Sequence, residues 1–290
     1  THITLQSHKK NDRLELLDNR PSAQKATPAH PQPHPQRTPA MPTTPRQPRI
    51  PLAALAAPAL TLIAAPAAPA VNPAPLFPGA KFAVGDIPVS ATAADLDGDG
   101  DTDLAAANTG SNDVSVLLNN GDGTFAPQQT YAAGDSPESV TAADLDGDGD
   151  IDLATANVFS DDVSVLLNNG DGTFATPESY AAGNFPVSVT AADLDGDGDT
   201  DLATANFDSD DVSVLLNNGD GSFAPQQTYD AGIESRSVTA ADLDADGDID
   251  LATANGGFGA NDVSVLLNNG DGTFAPQQTY DAGIESRSVT

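Results

Sequence analysis

The chain has 290 residues, no Cys, no Trp and a formal net charge of −31. The charge is unevenly placed: 39 of the 42 acidic residues follow residue 70, where Lys81, Arg236 and Arg287 are the only cations, so this part repels nucleic acid and anionic membranes. Without Cys there is no disulfide or thiolate metal site. With His confined to His2, His8, His30 and His34, the acidic part also lacks the commonest general base and the thiol nucleophile.

Residues 1–40 are polar and rich in Pro and His, with no sustained apolar period, and are expected to be disordered. Residues 41–70 follow the order of a secretory signal peptide. Met41 opens the segment, Arg46 and Arg49 give it positive charge, Leu52 to Ala65 is apolar, and Ala68-Pro69-Ala70 forms a small-x-small cleavage site before Val71. A transmembrane span is the alternative, but Pro51, Pro58, Pro66 and Pro69 would each break or kink it. The reading places the protein outside the cell or at its surface, with 71–80 as a linker.

Residues 81–290 are organised by an internal repeat. The string Ala-Asp-Leu-Asp-x-Asp-Gly-Asp-x-Asp-Leu occurs four times, with its first ligand-type aspartate at Asp95, Asp144, Asp193 and Asp242, a spacing of 49 residues. A second string, Val-Ser-Val-Leu-Leu-Asn-Asn-Gly-Asp-Gly, begins at Val114, Val163, Val212 and Val263. The last interval is two residues longer, which places an insertion in the loop 256–262. In the second repeat, four strands are predicted: Ser139–Ala143, Leu153–Asn157, Val163–Asn168 and Thr173 to Tyr180, with Asn169-Gly170 as a tight hairpin turn. Four short strands per repeat is the pattern of a β-propeller blade. The expected fold is therefore all-β, four four-stranded blades belonging to a larger propeller. A β-helix would need far shorter repeats.

Asp95, Asp97, Asp99, Asp101 and Asp103 occupy alternate positions of a nine-residue segment with Gly100 at position 6, the spacing D-x-D-x-D-G of a calcium loop. The chemistry requires that spacing. A hard divalent cation takes six to eight oxygens at about 2.3–2.6 Å, and carboxylates at positions 1, 3 and 5 converge only if the chain curls tightly. Glycine at position 6 permits the curl. Position 7 supplies a backbone carbonyl and position 9 closes the site. The same pattern recurs at Asp144, Asp146, Asp148, Asp150 and Asp152; at Asp193, Asp195, Asp197, Asp199 and Asp201; and at Asp242, Asp244, Asp246, Asp248 and Asp250. Five carboxylates in nine residues repel one another without a cation, so about four calcium sites are expected. Magnesium, which takes fewer carboxylates and keeps its water, fits less well. In the fourth loop Ala245 replaces the position-4 glycine; it is not a ligand, and the site is expected to survive.

The Asp-rich loop, the Asp-Leu-Ala-x-Ala-Asn strand after it and the Leu-Leu-Asn-Asn-Gly-Asp-Gly-Thr-Phe hairpin resemble the FG-GAP or VCBS repeats related to the integrin α-chain propeller, over about Lys81 to Thr290. The resemblance implies a calcium-stabilised propeller of the kind found in extracellular adhesion proteins, lectins and some polysaccharide-acting enzymes. Topology puts the calcium loops and the Asn-Gly-Asp-Gly turns on one face and the most variable loops, carrying Phe159, Phe207 and Phe258, on the other. Phe125, Phe174, Phe223 and Phe274 are expected between blades, with Tyr131, Tyr180, Tyr229 and Tyr280 as packing residues. The functional expectation is a non-enzymatic, extracellular binding or adhesion module whose variable face takes a glycan or a protein. The alternative is a scaffold within a larger secreted polysaccharide-acting enzyme or surface protein. Because 271–290 repeats 220–239 and stops one strand into a fifth unit, the chain is expected to be an arc of a longer propeller.

Overall fold

A computed structural model describes residues 81–257, 261–283 and 288–289. The disordered segment, signal peptide and linker expected over 1–80, together with Phe258 and Thr290, lie outside the described residues. Each repeat forms one antiparallel four-stranded sheet in simple up-and-down order. Blade 1 comprises β1 (Pro88–Ala94), β2 (Asp103–Asn108), β3 (Asp113–Leu117) and β4 (Gln129–Ala132). Blade 2 comprises β5 (Pro137–Ala143), β6 (Asp152–Asn157), β7 (Asp162–Leu166) and β8 (Glu178–Ala181). Blade 3 comprises β9 (Pro186–Ala192), β10 (Asp201–Asn206), β11 (Asp211–Leu215) and β12 (Gln227–Asp230), and blade 4 β13 (Ser235–Ala241), β14 (Asp250–Asn255), β15 (Asp262–Leu266) and β16 (Gln278–Asp281). No helix occurs among the described residues, so none there is long and apolar enough to cross a membrane.

The fourth strand departs from the expectation. Phe174 makes only an isolated bridge to Asn168, and regular pairing resumes at Glu178. Pro177 explains the gap, because proline has no N–H to give the ladder. The hairpin turn is also wider than two residues: the Asn169 N–H donates to the Thr173 carbonyl at 2.8 Å, and Gly170 and Gly172 both take positive φ.

The core lies between blades, not within one. Val114 and Val116 on one face of blade 1 pack with Leu96 against Val140, Leu153, Leu166 and Phe174 of blade 2, and equivalent residues fill the next two clefts. Phe174 meets Tyr131 of the preceding blade edge-on at 5.1 Å, Phe223 meets Tyr180 at 5.2 Å and Phe274 meets Tyr229 at 5.2 Å. These aromatic residues are packing residues, as expected. Tyr280, with no blade beyond it among the described residues, is 54% exposed. The first strands of successive blades, β1, β5, β9 and β13, pack each on the next. The Val189 N–H, for example, donates to Ser139 Oγ across one such junction at 3.2 Å.

Inside each blade the end of the second strand is pinned by a buried polar network. Asn157 Nδ2 donates to Asp162 Oδ1 at 2.8 Å and Ser164 Oγ at 2.9 Å, and its Oδ1 accepts from Thr155 Oγ1 at 3.0 Å. Blades 3 and 4 repeat the Thr-to-Asn bond at 2.9 and 3.2 Å. Blade 1 has Ala106 where the others have Thr, and Asn108 Oδ1 is left buried with no donor. Restoring the hydroxyl with Ala106→Thr is expected to raise unfolding free energy by about 1 kcal/mol, read as a higher denaturation midpoint at unchanged slope.

Candidate metal centres

Each Asp-rich loop joins the first two strands of its blade and is shaped by its own carboxylates. In the second loop, Asp144 Oδ1 and Oδ2 accept from the backbone N–H groups of Gly147 and Gly149 at 2.8 and 3.1 Å. Asp146 and Asp148 likewise hold the N–H two residues on. The curl needs left-handed backbone twice: Gly147 has φ +75° and Gly149 φ +95°. The position-6 glycine was legible in the sequence; the requirement at position 4 was not. Ala245, at position 4 of the last loop, is forced to φ +66°. A side chain there costs about 1 kcal/mol, so Ala245→Gly is expected to stabilise the protein by about that amount in a thermal or denaturant melt.

The loops converge their oxygens. One carboxylate oxygen from each of Asp95, Asp97 and Asp99 lies within 4.8 Å of the others; so do those of Asp193, Asp195 and Asp197, of Asp242, Asp244 and Asp246, and of Asp144, Asp146 and Asp152. Positions 1 and 3 are thus gathered in all four loops, with position 5 in three and position 9 in one. Asp101, Asp150, Asp199 and Asp248, at position 7, stand apart from these groups, against the turn glycines Gly121, Gly170, Gly219 and Gly270.

Position 9 is the buried end of the loop. Asp103, Asp152, Asp201 and Asp250 are at most 1% exposed. Asp152 Oδ2 accepts from the Leu145 N–H at 2.8 Å and Oδ1 from the Asn168 N–H at 2.7 Å, so this one carboxylate closes its loop and ties it to the hairpin turn of the same blade. Asp103, Asp201 and Asp250 make the same pair of bonds.

Crowding and burial oppose ionisation. Asp152 and Asp201 are each pushed up to about 6, chiefly by burial and further by nearby aspartates, against the lowering effect of their two backbone donors. Asp97, Asp146, Asp195 and Asp244 are also raised, burial again leading. The donor set is all oxygen, anionic and clustered, and Asp95 Oδ1 is buried with no hydrogen-bond partner. A hard divalent cation fits these residues: it neutralises the repulsion and supplies the missing partner.

Protonation competes with such a cation. In the cation-free protein, Asp152 and Asp201 bind protons more tightly folded than unfolded, so their contribution favours the fold at acid pH and is lost as pH rises through about 6. A divalent cation bound there would have to displace those protons. Calorimetric titrations in buffers of different ionisation enthalpy are expected to show weaker binding with proton release at about pH 5, and tighter binding without release from these groups at about pH 8.

The sequence profile of the FG-GAP-like repeat family matches residues 95–155, 144–204 and 194–253, three overlapping pairs of Asp loops. No curated protein sequence matches the chain. Among solved structures, BBS1N in complex with ARL6DN is 13% identical over 72% of this chain and 60% of that one, with a TM-score of 0.50. The biofilm matrix protein Bap1 of V. cholerae is 21% identical over 69% of this chain and 29% of its own, with a TM-score of 0.46. The chain thus spans about 60% of the BBS1N structure, and at 13% identity that likeness is one of fold alone.

Proposed function

The chain belongs to the FG-GAP-like repeat family, and on that premise we propose that it is a secreted, calcium-stabilised propeller module that binds a macromolecule outside the cell without catalysing a reaction. The observation that carries this reading is the contrast between its two faces. The Asp loops and Asn-Gly-Asp-Gly turns are nearly identical in every blade. The opposite connections are held together just as regularly, the N–H of Thr109, Val158, Phe207 and Gly256 donating to the carbonyls of Ile87, Ser136, Phe185 and Glu234. Yet it is at these positions that the repeats differ. Phe159, Phe185 and Phe207 form a run across blades 2 and 3, with ring centroids 5.8 and 5.7 Å apart. Arg236 of blade 4 stacks 4.7 Å over Phe207 and pairs with Glu234 at 2.8 Å.

Phe159 is 71% exposed and Phe185 holds a positive φ, 59°, unusual for a bulky residue. Exposed aromatic rings and a strained turn on a rigid scaffold are features of recognition surfaces. Calcium supplies charge neutralisation: Asp144, Asp146, Asp148 and Asp152 of one loop, and their equivalents in the others, hold the cation. A signal peptide over 41–70 supports export to a compartment where calcium is abundant. The absence of His and Cys beyond residue 70 supports a binding role over an enzymatic one.

The two halves of the reading are tested together. Calcium at 100 times its dissociation constant is expected to add about 2.7 kcal/mol per site, lost on adding a calcium-selective chelator. An unchanged melt would refute calcium. Phe159→Ala is expected to leave stability within about 0.5 kcal/mol while weakening retention on a glycan array or a panel of extracellular-matrix proteins. Retention by neither surface, or retention indifferent to Phe159, would refute the binding face.

A further inference from the structure

The asparagine that opens each hairpin turn touches two Asp loops at once. Asn168 of blade 2 donates one amide hydrogen to the Ile151 carbonyl, at position 8 of its own loop, and the other to the Leu96 carbonyl, at position 2 of the loop in blade 1, both at 2.8 Å. Its backbone N–H holds Asp152, at position 9 of its own loop, and its Oδ1 accepts from the Gly170 N–H at 3.0 Å. Every polar group of this side chain is used, and Asn168 is 6% exposed. Asn217 repeats the arrangement with Thr200 of its own loop and Leu145 of the loop before, and Asn268 with Ile249 and Leu194.

Two further contacts cross the same junction. The Leu96 side chain is 1% exposed and packs with the core residues of blade 2; Leu145 and Leu194 match it against the blades that follow theirs. A Cβ added at Gly172 would meet Leu118 at 2.8 Å and the Cβ of Asp97 at 3.2 Å, so the backbone of the blade 2 turn lies directly against the position-3 aspartate of blade 1. Gly221 and Gly272 lie in the same way against Asp146 and Asp195. Leu243, in the last loop, has no such cover among the described residues and is 47% exposed, and Asp242, Asp244 and Asp246 of that loop are exposed.

We propose that Asn168, Asn217 and Asn268 are positioning residues that couple neighbouring calcium loops, so that the four sites fill cooperatively. This rests on the calcium reading given above. The Leu96 carbonyl belongs to the peptide that carries the N–H of Asp97, and the Ile151 carbonyl to the peptide that carries the N–H of Asp152. Fixing both peptides with one planar amide makes the curl of one loop favour the curl of the next. A cation that orders either loop lowers the ordering cost of its neighbour, which is positive coupling with no contact between the cations. Because each asparagine links only adjacent blades, coupling passes along the array and is not shared by all loops equally.

Calorimetric calcium titration of the full chain tests this. The intact protein is expected to bind about four calcium ions with a Hill coefficient above 1. Removing the third site with Asp195→Asn and Asp197→Asn is expected to weaken the remaining sites by about 5-fold or more, in the lower range of measured couplings. Asn217→Ala is expected to lower the Hill coefficient and to abolish the effect of the third site on the second while leaving its effect on the fourth. Far-ultraviolet circular dichroism and a melt in chelator establish that Asn217→Ala is folded; the site-removal variant carries the test by itself should it not be. No calcium binding at all would overturn the calcium reading and the coupling with it. Four sites of unit Hill coefficient, with the others unmoved by loss of the third, would overturn the coupling alone.

Discussion

Asp152 is fully buried, and both of its oxygens accept backbone N–H groups, from Leu145 at the start of its loop and from Asn168 at the hairpin turn. The rest of the blade depends on that carboxylate. It shuts the Asp loop into a ring of fixed size, and it sets the loop against the turn that reaches the neighbouring blade. A buried carboxylate bonded to two amides is stable as an anion only while other negative charge nearby is offset. Here the neighbouring charges are the remaining aspartates of the loop, and burial with those neighbours pushes Asp152 up to about 6. The element that organises the blade therefore creates its own demand for a cation or a proton.

The placement of the core explains why such a demand is tolerated. Each cleft is filled by small and medium apolar residues from two blades, such as Val163 and Val165 of one with Leu202, Leu215 and Phe223 of the next. No blade has a core of its own, so the junctions carry the stability of the array. The loops sit at the rim of these junctions. The asparagine amide, the position-2 leucine and the turn glycine all cross there, and the strength of a junction and the order of a loop are linked by the same few atoms.

The opposite rim is built by equally regular hydrogen bonds but from changeable side chains. Asn112, Asp161 and Asp210 take left-handed backbone and cap the N–H of Ser136, Phe185 and Glu234 with their side-chain oxygens. The capped residue projects from a turn whose shape is fixed by its neighbours, not by itself. That is why serine, phenylalanine and glutamate are interchangeable there, and why the repeats could diverge on this face while the other stayed almost constant.

The period of 49 residues, the all-β class, the division into two faces and the grouping of the first aspartates were legible in the chain, because each is a matter of local spacing and turn chemistry. The strand 178–181 was misplaced by starting it at Thr173, since a proline's missing N–H matters only once its partner strand is known. Asn168 read only as the end of the strand from Val163, because its second partner, Leu96, lies 72 positions away. Ala245 read as harmless because the left-handed twist at position 4 is a property of the closed loop. Sequence by itself determined that the carboxylates at positions 1 and 3 gather in every loop, since alternate positions are neighbours on any tight curl. Only the tertiary structure decided that the loops are joined in series, because the amide that joins them spans two blades and no local pattern records which blade will stand beside it.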